Sequence, residues 1–128
     1  MARHNKVVEL IASNARKKGW DVLVEPVIPT PAGVRRPDLV IHGLRKTAFV
    51  IDATVVADNA DLTDRHNGKC HYYDIPAIRQ WVKGVRPDID EVKFSSVTLN
   101  WRGLFAIQSA ETLCRDIGMS TSFLSLAS

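Results

Sequence analysis

Two aspartates, Asp38 and Asp52, stand where a pair of neighbouring strands would bring their side chains together. Residues 37–42 and 47–56 are rich in apolar side chains and predict two strands joined by a tight connection. If these strands fold as a hairpin centred on residue 45, the two aspartates face each other with Cβ atoms about 5 Å apart. Two like charges this close repel each other unless a cation or hydrogen-bond donors lie between them.

The hairpin register matters, because a slip of one residue would move the two aspartates to opposite faces of the sheet. The expected register opposes apolar residues with apolar residues: Leu39 with Ile51, Val40 with Val50 and Ile41 with Phe49. Mg²⁺ takes oxygen ligands and often uses only one or two carboxylates plus water, so the pair predicts a magnesium site. The alternative is that Asp38 is a turn residue after a proline and that Asp52 pairs with Arg35 or Arg36.

A lysine and a tyrosine follow on the next predicted helix, residues 62–74. His66, Lys69 and Tyr73 fall on one stripe of that helix. A helix that doubles back over the sheet would bring Lys69 level with the two aspartates. There a lysine can stabilise negative charge on a phosphate or help to deprotonate a water, and Tyr73 can hold a phosphate or a water. The alternative is a solvated helix face with His66 and Lys69 merely exposed.

The segment RPDIDEVK, residues 86–93, contains the letters PD followed by ExK, which metal-dependent nucleases of the restriction-enzyme type carry. Only two residues separate Asp88 from Glu91, too few for two paired strands with both acids on one face. We therefore expect Asp88 and Asp90 to be turn residues that lead into a strand at 91–99.

The length of 128 residues predicts one domain, which we expect to be part of a longer protein. The net charge of +3 and the pI near 9.1 are compatible with nucleic acid as a partner but do not single it out. The two cysteines form no CxxC pair, which argues against zinc and favours a reducing compartment. No apolar run reaches the length that spans a membrane, so no membrane partner is expected.

The order of predicted elements favours a mixed α/β or α+β domain with one small sheet flanked by helices. The remaining predicted elements are a helix at 5–18 and an interrupted strand at 20–28. Two further helices follow: one has Pro76 in its first turn and ends near Val82, and the last, at 110–117, has Ser109 as its N-cap. We place the domain at 1–118 and expect a loosely specified tail at 119–128.

Several of these segments together resemble a known family, the restriction-like endonuclease domain of site-specific non-LTR retrotransposons. These are the early-branching elements with a single reading frame, including those that insert into ribosomal RNA genes. The resemblance covers nearly the whole chain and is carried by RHN at the start, VLVEP, RRPDLV, VIDATVV, the spaced His66, Lys69 and Tyr73, and LNWRGLFAIQSAETLCRDIG. It implies the PD-(D/E)xK restriction-endonuclease-like fold, close to archaeal Holliday-junction resolvases.

The resemblance also implies roles for individual residues. Asp38 and Asp52 would bind metal, and Glu9 on the first helix is the candidate for an additional metal-binding acid, unless it simply faces solvent. Lys69 would be the catalytic lysine, moved onto the helix from the position that Thr54 occupies here. Tyr73 would be the motif tyrosine, with Tyr72 as the alternative.

The implied activity is that of a Mg²⁺- or Mn²⁺-dependent endonuclease that nicks one strand of target DNA to prime reverse transcription. The domain would act on double-stranded or branched DNA in the nucleus, within a parent polyprotein that also carries the reverse transcriptase. The candidate DNA contacts are Arg3, His4, Arg35, Arg36 and His66. Trp101 is expected in the core, with Arg102 and Gly103 in a turn. The alternatives are a structure-specific nuclease for branched DNA, an inactive DNA-binding module and a docking domain.

Overall fold

Four strands form one mixed sheet in the computed structural model, which describes residues 2–127, with side chains described for 3–124. The sheet has the order β1-β2-β3-β4, with β1 at Asp21–Val24, β2 at Leu39–His42, β3 at Thr47–Val56 and β4 at Glu91–Asn100. The first three strands are antiparallel neighbours, whereas β3 and β4 run parallel. The predicted small sheet flanked by helices is therefore confirmed.

The helices occupy both faces of this sheet. They are α1 at Ala2–Lys17, α2 at Leu62–Tyr73, α3 at Pro76–Val85, α4 at Ile107–Glu111, which continues as a π-helix at Thr112–Asp116, and α5 at Thr121–Ala127. Parallel strands need a long crossover connection, and α2 and α3 provide it between β3 and β4. No helix among the described residues is both long and apolar enough to cross a lipid bilayer.

Two apolar cores result, one on each face of the sheet. Leu39, Ile51 and Val97 lie on one face with residues of α1 and α5, while Val40 and Val50 lie on the other with residues of α2 and α3. Successive side chains of a strand point to opposite faces, and here both faces are buried. This explains the nearly continuous apolar run of β3.

The hairpin of β2 and β3 has the register that the sequence predicts, with Leu39 opposite Ile51, Val40 opposite Val50 and Ile41 opposite Phe49. Gly43, directly after β2, has φ 108°, and a Cβ there would lie 2.7 Å from Oδ2 of Asp21. Only glycine fits this position without strain. The turn therefore helps to hold the register on which the aspartate pair depends.

The chain beyond β4 departs from the sequence prediction. Ser109 is not an N-cap: α4 begins at Ile107 after the cap residue Ala106, and Ser109 is buried within the helix. The predicted loosely specified tail instead carries α5, and Met119 and Phe123 are each 3% exposed in the core that contains α1. Apolar side chains of the tail thus complete a core that other elements begin.

The segment with the letters PD and ExK, residues 86–93, forms a turn that leads into β4. Asp88 is exposed in the turn before β4, where it forms a salt bridge of 3.4 Å with Arg86, and Glu91 begins the strand. The prediction that this PD segment is a turn is confirmed.

Trp101, expected in the core, is 50% exposed directly after β4, so that expectation was wrong.

Candidate active site

Asp38 and Asp52 are both buried and lie at the junction of β2 and β3. Asp38 immediately precedes β2, and Asp52 is within β3, one step beyond the pair that joins Leu39 to Ile51. Oδ2 of Asp38 accepts a hydrogen bond of 2.8 Å from the backbone N–H of Ala53. This bond takes the place of a ladder bond where β2 has not yet begun, and it holds the Asp38 carboxylate beside Asp52.

The two carboxylates influence each other strongly. Burial, a hydrogen bond to Asp38 and the charge of Asp38 raise the pKa of Asp52 to about 6, against an opposing effect of Lys69. The side chains of Asp38 and Asp52 are only 10% and 8% exposed, so water screens their repulsion poorly. The site therefore favours a proton or a cation between the two residues.

Helix α2 supplies a partner for each oxygen of Asp52. The Nζ of Lys69 lies 3.3 Å from Oδ2, and the hydroxyl of Tyr73 donates to Oδ1 at 3.2 Å. The same hydroxyl lies 3.4 Å from the carbonyl oxygen of Arg36. Burial, followed by the charge and hydrogen bond of Asp52, raises the pKa of Tyr73 above its ordinary value, so the hydroxyl keeps its proton. Lys69, and neither Arg35 nor Arg36, is thus the cation beside Asp52.

Helix α1 contributes His4 from its first turns. Nε2 of His4 lies 3.1 Å from Oδ2 of Asp38. Burial lowers the pKa of His4, but the charge and hydrogen bond of Asp38 outweigh it, so the pKa is raised overall. The sequence predicted His4 as a DNA contact, whereas the structure gives it a position against a carboxylate.

A cavity of about 230 Å³ opens beside this pair and is lined by His4, Glu9, Glu25 and Asp38, among others. Glu9 is exposed there, at the rim, with no direct bond to either aspartate among the described contacts. Glu25 was not predicted as a site residue. Its backbone N–H donates to the carbonyl of Asp38 at 2.9 Å, and its φ of 48° is rare for a residue other than glycine. The sequence signals at Glu25 are the following Pro26 and its position in VLVEP, one of the segments that carry the family resemblance.

His66 is placed differently from the predicted DNA contact. It is 6% exposed, and its Nδ1 lies 2.7 Å from Oγ of Ser96, the residue of β4 that faces Asp52 in the register. Burial lowers the pKa of His66, which keeps the ring neutral. Oγ of Ser109 lies 3.4 Å from the same nitrogen, donates to the Ser96 carbonyl at 2.6 Å and accepts from the N–H of Thr98. His66 therefore belongs to the internal support of the site, and its burial argues against the predicted contact with DNA.

This polar network was missed at the sequence level. The signal that could have revealed it is the run of small hydroxyl residues in an otherwise buried strand, at Ser95, Ser96 and Thr98. All three are buried, and buried hydroxyl groups require hydrogen-bond partners. Ser96 and Thr98 bond to each other, Thr112 of the π-helix bonds to Ser95, and His66 of α2 is the further partner of Ser96.

Two of the predicted basic residues, Arg3 and Arg35, contact aromatic rings. Arg3 places its guanidinium 5.5 Å from the Trp101 ring centre, and Arg35 places its own 4.2 Å from the ring centre of Tyr72. Arg36 is exposed. Among the described side chains, Arg35 and Arg36 form no salt bridge with an acidic residue. No described acidic side chain therefore neutralises the charges of Arg35 and Arg36.

The donor set fits a hard divalent cation. Among the described residues, no group of three or more histidine, cysteine, aspartate or glutamate side chains could by itself hold a metal ion. Asp38 and Asp52 offer two buried, facing carboxylates, and Mg²⁺ is commonly held by one or two carboxylates while water completes its coordination. Burial and the neighbouring charge of Asp38 raise the pKa of Asp52, and a bound cation would offset both effects.

Comparisons with known proteins give relatives that align with most of the chain. It is 38% identical over 114 residues to the "Retrovirus-related Pol polyprotein from type-2 retrotransposable element R2DM" of Drosophila melanogaster, covering 88% of this chain and 11% of that protein. The Pol polyproteins from type-1 retrotransposable element R2 of Nasonia vitripennis and Popillia japonica are 30% and 32% identical over 118 and 123 residues, covering 91% and 94% of this chain.

The chain spans only 11% to 20% of the length of these three relatives, and no family model matches it. The aligned stretches nevertheless cover 88% to 94% of this chain. The chain is therefore homologous to a region of the Pol polyproteins of R2 retrotransposable elements.

Proposed function

We propose that this chain is a metal-dependent endonuclease domain that hydrolyses a phosphodiester bond of DNA. The observation that carries the proposal is the meeting of Asp38 and Asp52 with Lys69, whose Nζ lies 3.3 Å from Oδ2 of Asp52. Paired carboxylates beside a lysine are the groups that metal-assisted phosphodiester hydrolysis requires. The implied PD-(D/E)xK-type fold is part of the same proposal.

Asp38 and Asp52 would hold Mg²⁺ or Mn²⁺, which when bound supplies a Lewis acid that activates water and neutralises charge on the phosphate. The Lys69 side chain is 43% exposed, so its ammonium group can reach a phosphate oxygen while remaining beside Asp52. There it would stabilise the negative charge that grows on the phosphate as the bond breaks. Glu9, at the rim of the cavity, is the candidate for an additional acid.

Tyr73 and His4 would orient the two carboxylates. The Tyr73 hydroxyl fixes the rotation of Asp52, and the His4 ring together with the Ala53 N–H fixes Oδ2 of Asp38. Hydrogen bonds of this kind keep reactive groups in place before the substrate arrives. The hydrogen bond of His66 to β4 would help to hold the position of β3, which carries Asp52.

The basic side chains suggest how DNA would be held. Arg35 and Arg36 stand next to Asp38 in the chain and are not engaged by acids among the described residues, so they are available for phosphate. The relatives are named as Pol polyproteins of retrotransposable elements. We therefore propose that the nick primes reverse transcription, with the rest of a Pol polyprotein as partner and the nucleus as the site of action.

Nicking of supercoiled plasmid in Mg²⁺ or Mn²⁺ tests the proposal. Wild type should nick, whereas Asp52→Asn and Lys69→Met should each lose at least about 100-fold of the rate. The exposed residues Asp88 and Lys93 of the other PD segment offer matched controls, and Asp88→Asn and Lys93→Met should nick like wild type.

The outcomes separate the candidate functions. Equal nicking by wild type and Asp52→Asn would refute the proposed site. DNA binding without cleavage in either metal would instead indicate a binding module on an inactive nuclease fold. A chain that neither binds nor cuts DNA would indicate a docking domain within the polyprotein.

A further inference from the structure

An exposed tyrosine stacked on an arginine flanks the candidate active site. The Tyr72 ring is 48% exposed, although it is a large apolar group, and the guanidinium carbon of Arg35 lies 4.2 Å from the ring centre. This distance places the planar cation on the ring in a cation–π contact. The pair thus presents an aromatic ring and an unneutralised positive charge at one place on the surface.

Both members of the pair are held by rigid parts of the fold. The backbone of Arg35 exchanges two hydrogen bonds of 2.9 Å with Ile28, which ties its loop into a small antiparallel bridge. Tyr72 is the penultimate residue of α2 and meets the Tyr73 ring edge-on, with ring centres 4.9 Å apart. A surface held on both sides loses little conformational entropy when a ligand stacks on it.

The pair lies close to the aspartates. Tyr73 connects Tyr72 to Asp52, since its ring contacts Tyr72 and its hydroxyl donates to Oδ1 of Asp52 at 3.2 Å. At the 3.4 Å spacing of stacked bases, Tyr72 is within roughly four base steps of the Asp52 carboxylate. A DNA strand bound with one phosphate at the two aspartates would therefore place a nearby nucleotide beside Tyr72 and Arg35.

We propose that Tyr72 and Arg35 form a stacking surface for an unpaired base of the DNA strand that is cut. This inference rests on the proposed nuclease function and names the form of DNA that the site prefers. Aromatic rings and arginine planes stack on bases of any sequence, while the positive charge of Arg35 attracts the phosphate backbone. The bases of an intact duplex are stacked on each other, so only a frayed, bubbled or branched region offers a base to this surface.

Binding in EDTA tests the proposal without any need for cleavage. Fluorescence anisotropy would compare a fully paired duplex with the same duplex carrying a short unpaired bubble. Wild type should prefer the bubble, and Tyr72→Ala should weaken bubble binding about 10-fold while leaving duplex binding unchanged. Tyr72→Phe should retain the preference because the ring remains, and Ile107→Ala, which trims a 73% exposed residue of helix α4, should behave like wild type.

A wild type that binds both DNAs equally would overturn the proposal, and so would a Tyr72→Ala variant that keeps the preference. Loss of the preference in Tyr72→Phe would also overturn it, since it would assign the effect to the hydroxyl group. Thermal unfolding of each variant confirms that it is folded.

Plasmid nicking by the same wild-type preparation reports separately on the nuclease activity. A protein that prefers the bubble but never nicks would support the stacking surface and refute the nuclease function.

Discussion

The ammonium nitrogen of Lys69 lies 3.3 Å from Oδ2 of Asp52, although the two residues belong to a helix and a strand that are joined by a loop. The contact exists because α2 packs back over β3 and β4, where His66 bonds to Ser96. Lysine side chains are flexible, yet this one is directed to a buried carboxylate. The pair therefore combines one charge shielded from water with one that remains within reach of a substrate.

Replacing Lys69 with methionine should reduce plasmid nicking by at least about 100-fold, because a developing negative charge loses its nearest fixed cation. The affinity for DNA should fall much less, since Arg35 and Arg36 remain. Rate and affinity are measured separately by single-turnover nicking and by anisotropy in EDTA. A parallel loss of affinity and rate would assign Lys69 to DNA binding alone, and Lys93→Met is the control for the loss of one positive charge.

Replacing Asp52 with asparagine should stabilise the protein at neutral pH in EDTA. The folded pKa of about 6 is above the ordinary value of 3.8, so the stability linked to the protonated form is present below about pH 4 and is lost as the pH rises through 6. Asparagine resembles the protonated form at every pH.

The advantage of Asp52→Asn in the free energy of unfolding should thus grow from near zero at pH 4 to about 1–3 kcal/mol at pH 7.5. Urea titrations at several pH values measure it, with the exposed Asp88→Asn as a control that should show no such trend. A variant less stable than wild type at pH 7.5 would contradict the repulsion between Asp38 and Asp52.

Removing the hydroxyl of Tyr73 in Tyr73→Phe should slow nicking roughly 10-fold with little change in DNA affinity, because Asp52 loses the donor that orients it. The loss of a hydrogen bond to the charged carboxylate should also move the acidic limb of the pH–rate profile to higher pH. A purely structural role would lower the thermal midpoint and leave this profile in place. Tyr72→Phe, the neighbouring change, should leave both rate and profile unaltered.

His66→Ala should lower the free energy of unfolding by about 1–3 kcal/mol, because the buried hydroxyl of Ser96 loses its 2.7 Å contact with Nδ1 of His66, although its 2.6 Å contact with the hydroxyl of Thr98 remains. Since burial lowers the pKa of His66, the wild type should also lose stability as the pH falls below 6.5, the ordinary histidine value. The variant should not show this loss. The affinity for duplex DNA in EDTA should be the same for His66→Ala and His66→Gln as for wild type. A clear decrease in that affinity would support His66 as a DNA contact.

Phe123→Ala should cost about 3–5 kcal/mol, as expected for a phenylalanine removed from a close-packed core. Phe123 is 3% exposed against the core that includes α1, whereas the adjacent Ser122 is exposed. Ser122→Ala should therefore leave the urea midpoint nearly unchanged. Similar, small effects of both substitutions would mean that the segment after Gly118 is a dispensable tail.

The nearly continuous apolar run of residues 47–56 was enough to predict β3 with its observed ends, and the apolar pairing with β2 predicted the register. A one-residue slip would exchange the two buried faces of the strand and would place Asp38 and Asp52 on opposite faces of the sheet. The register in turn predicted that Asp38 and Asp52 are neighbours. The stripe of Lys69 and Tyr73 followed from the helical period, and Lys69 lies beside Asp52 as expected, whereas the bond of Tyr73 to the same carboxylate was not predicted.

Other positions were decided only by the tertiary structure. His66 is buried and Trp101 is exposed, the reverse of what their residue types suggested, because each depends on which element lies above it. Glu25 lines the cavity beside Asp38, and its backbone N–H donates to the Asp38 carbonyl. The spacing of residues in the chain did not predict this contact. Phe123 enters a core that is otherwise built before residue 120. Periodicity determines which residues share one face of an element, but only packing between elements determines what that face meets.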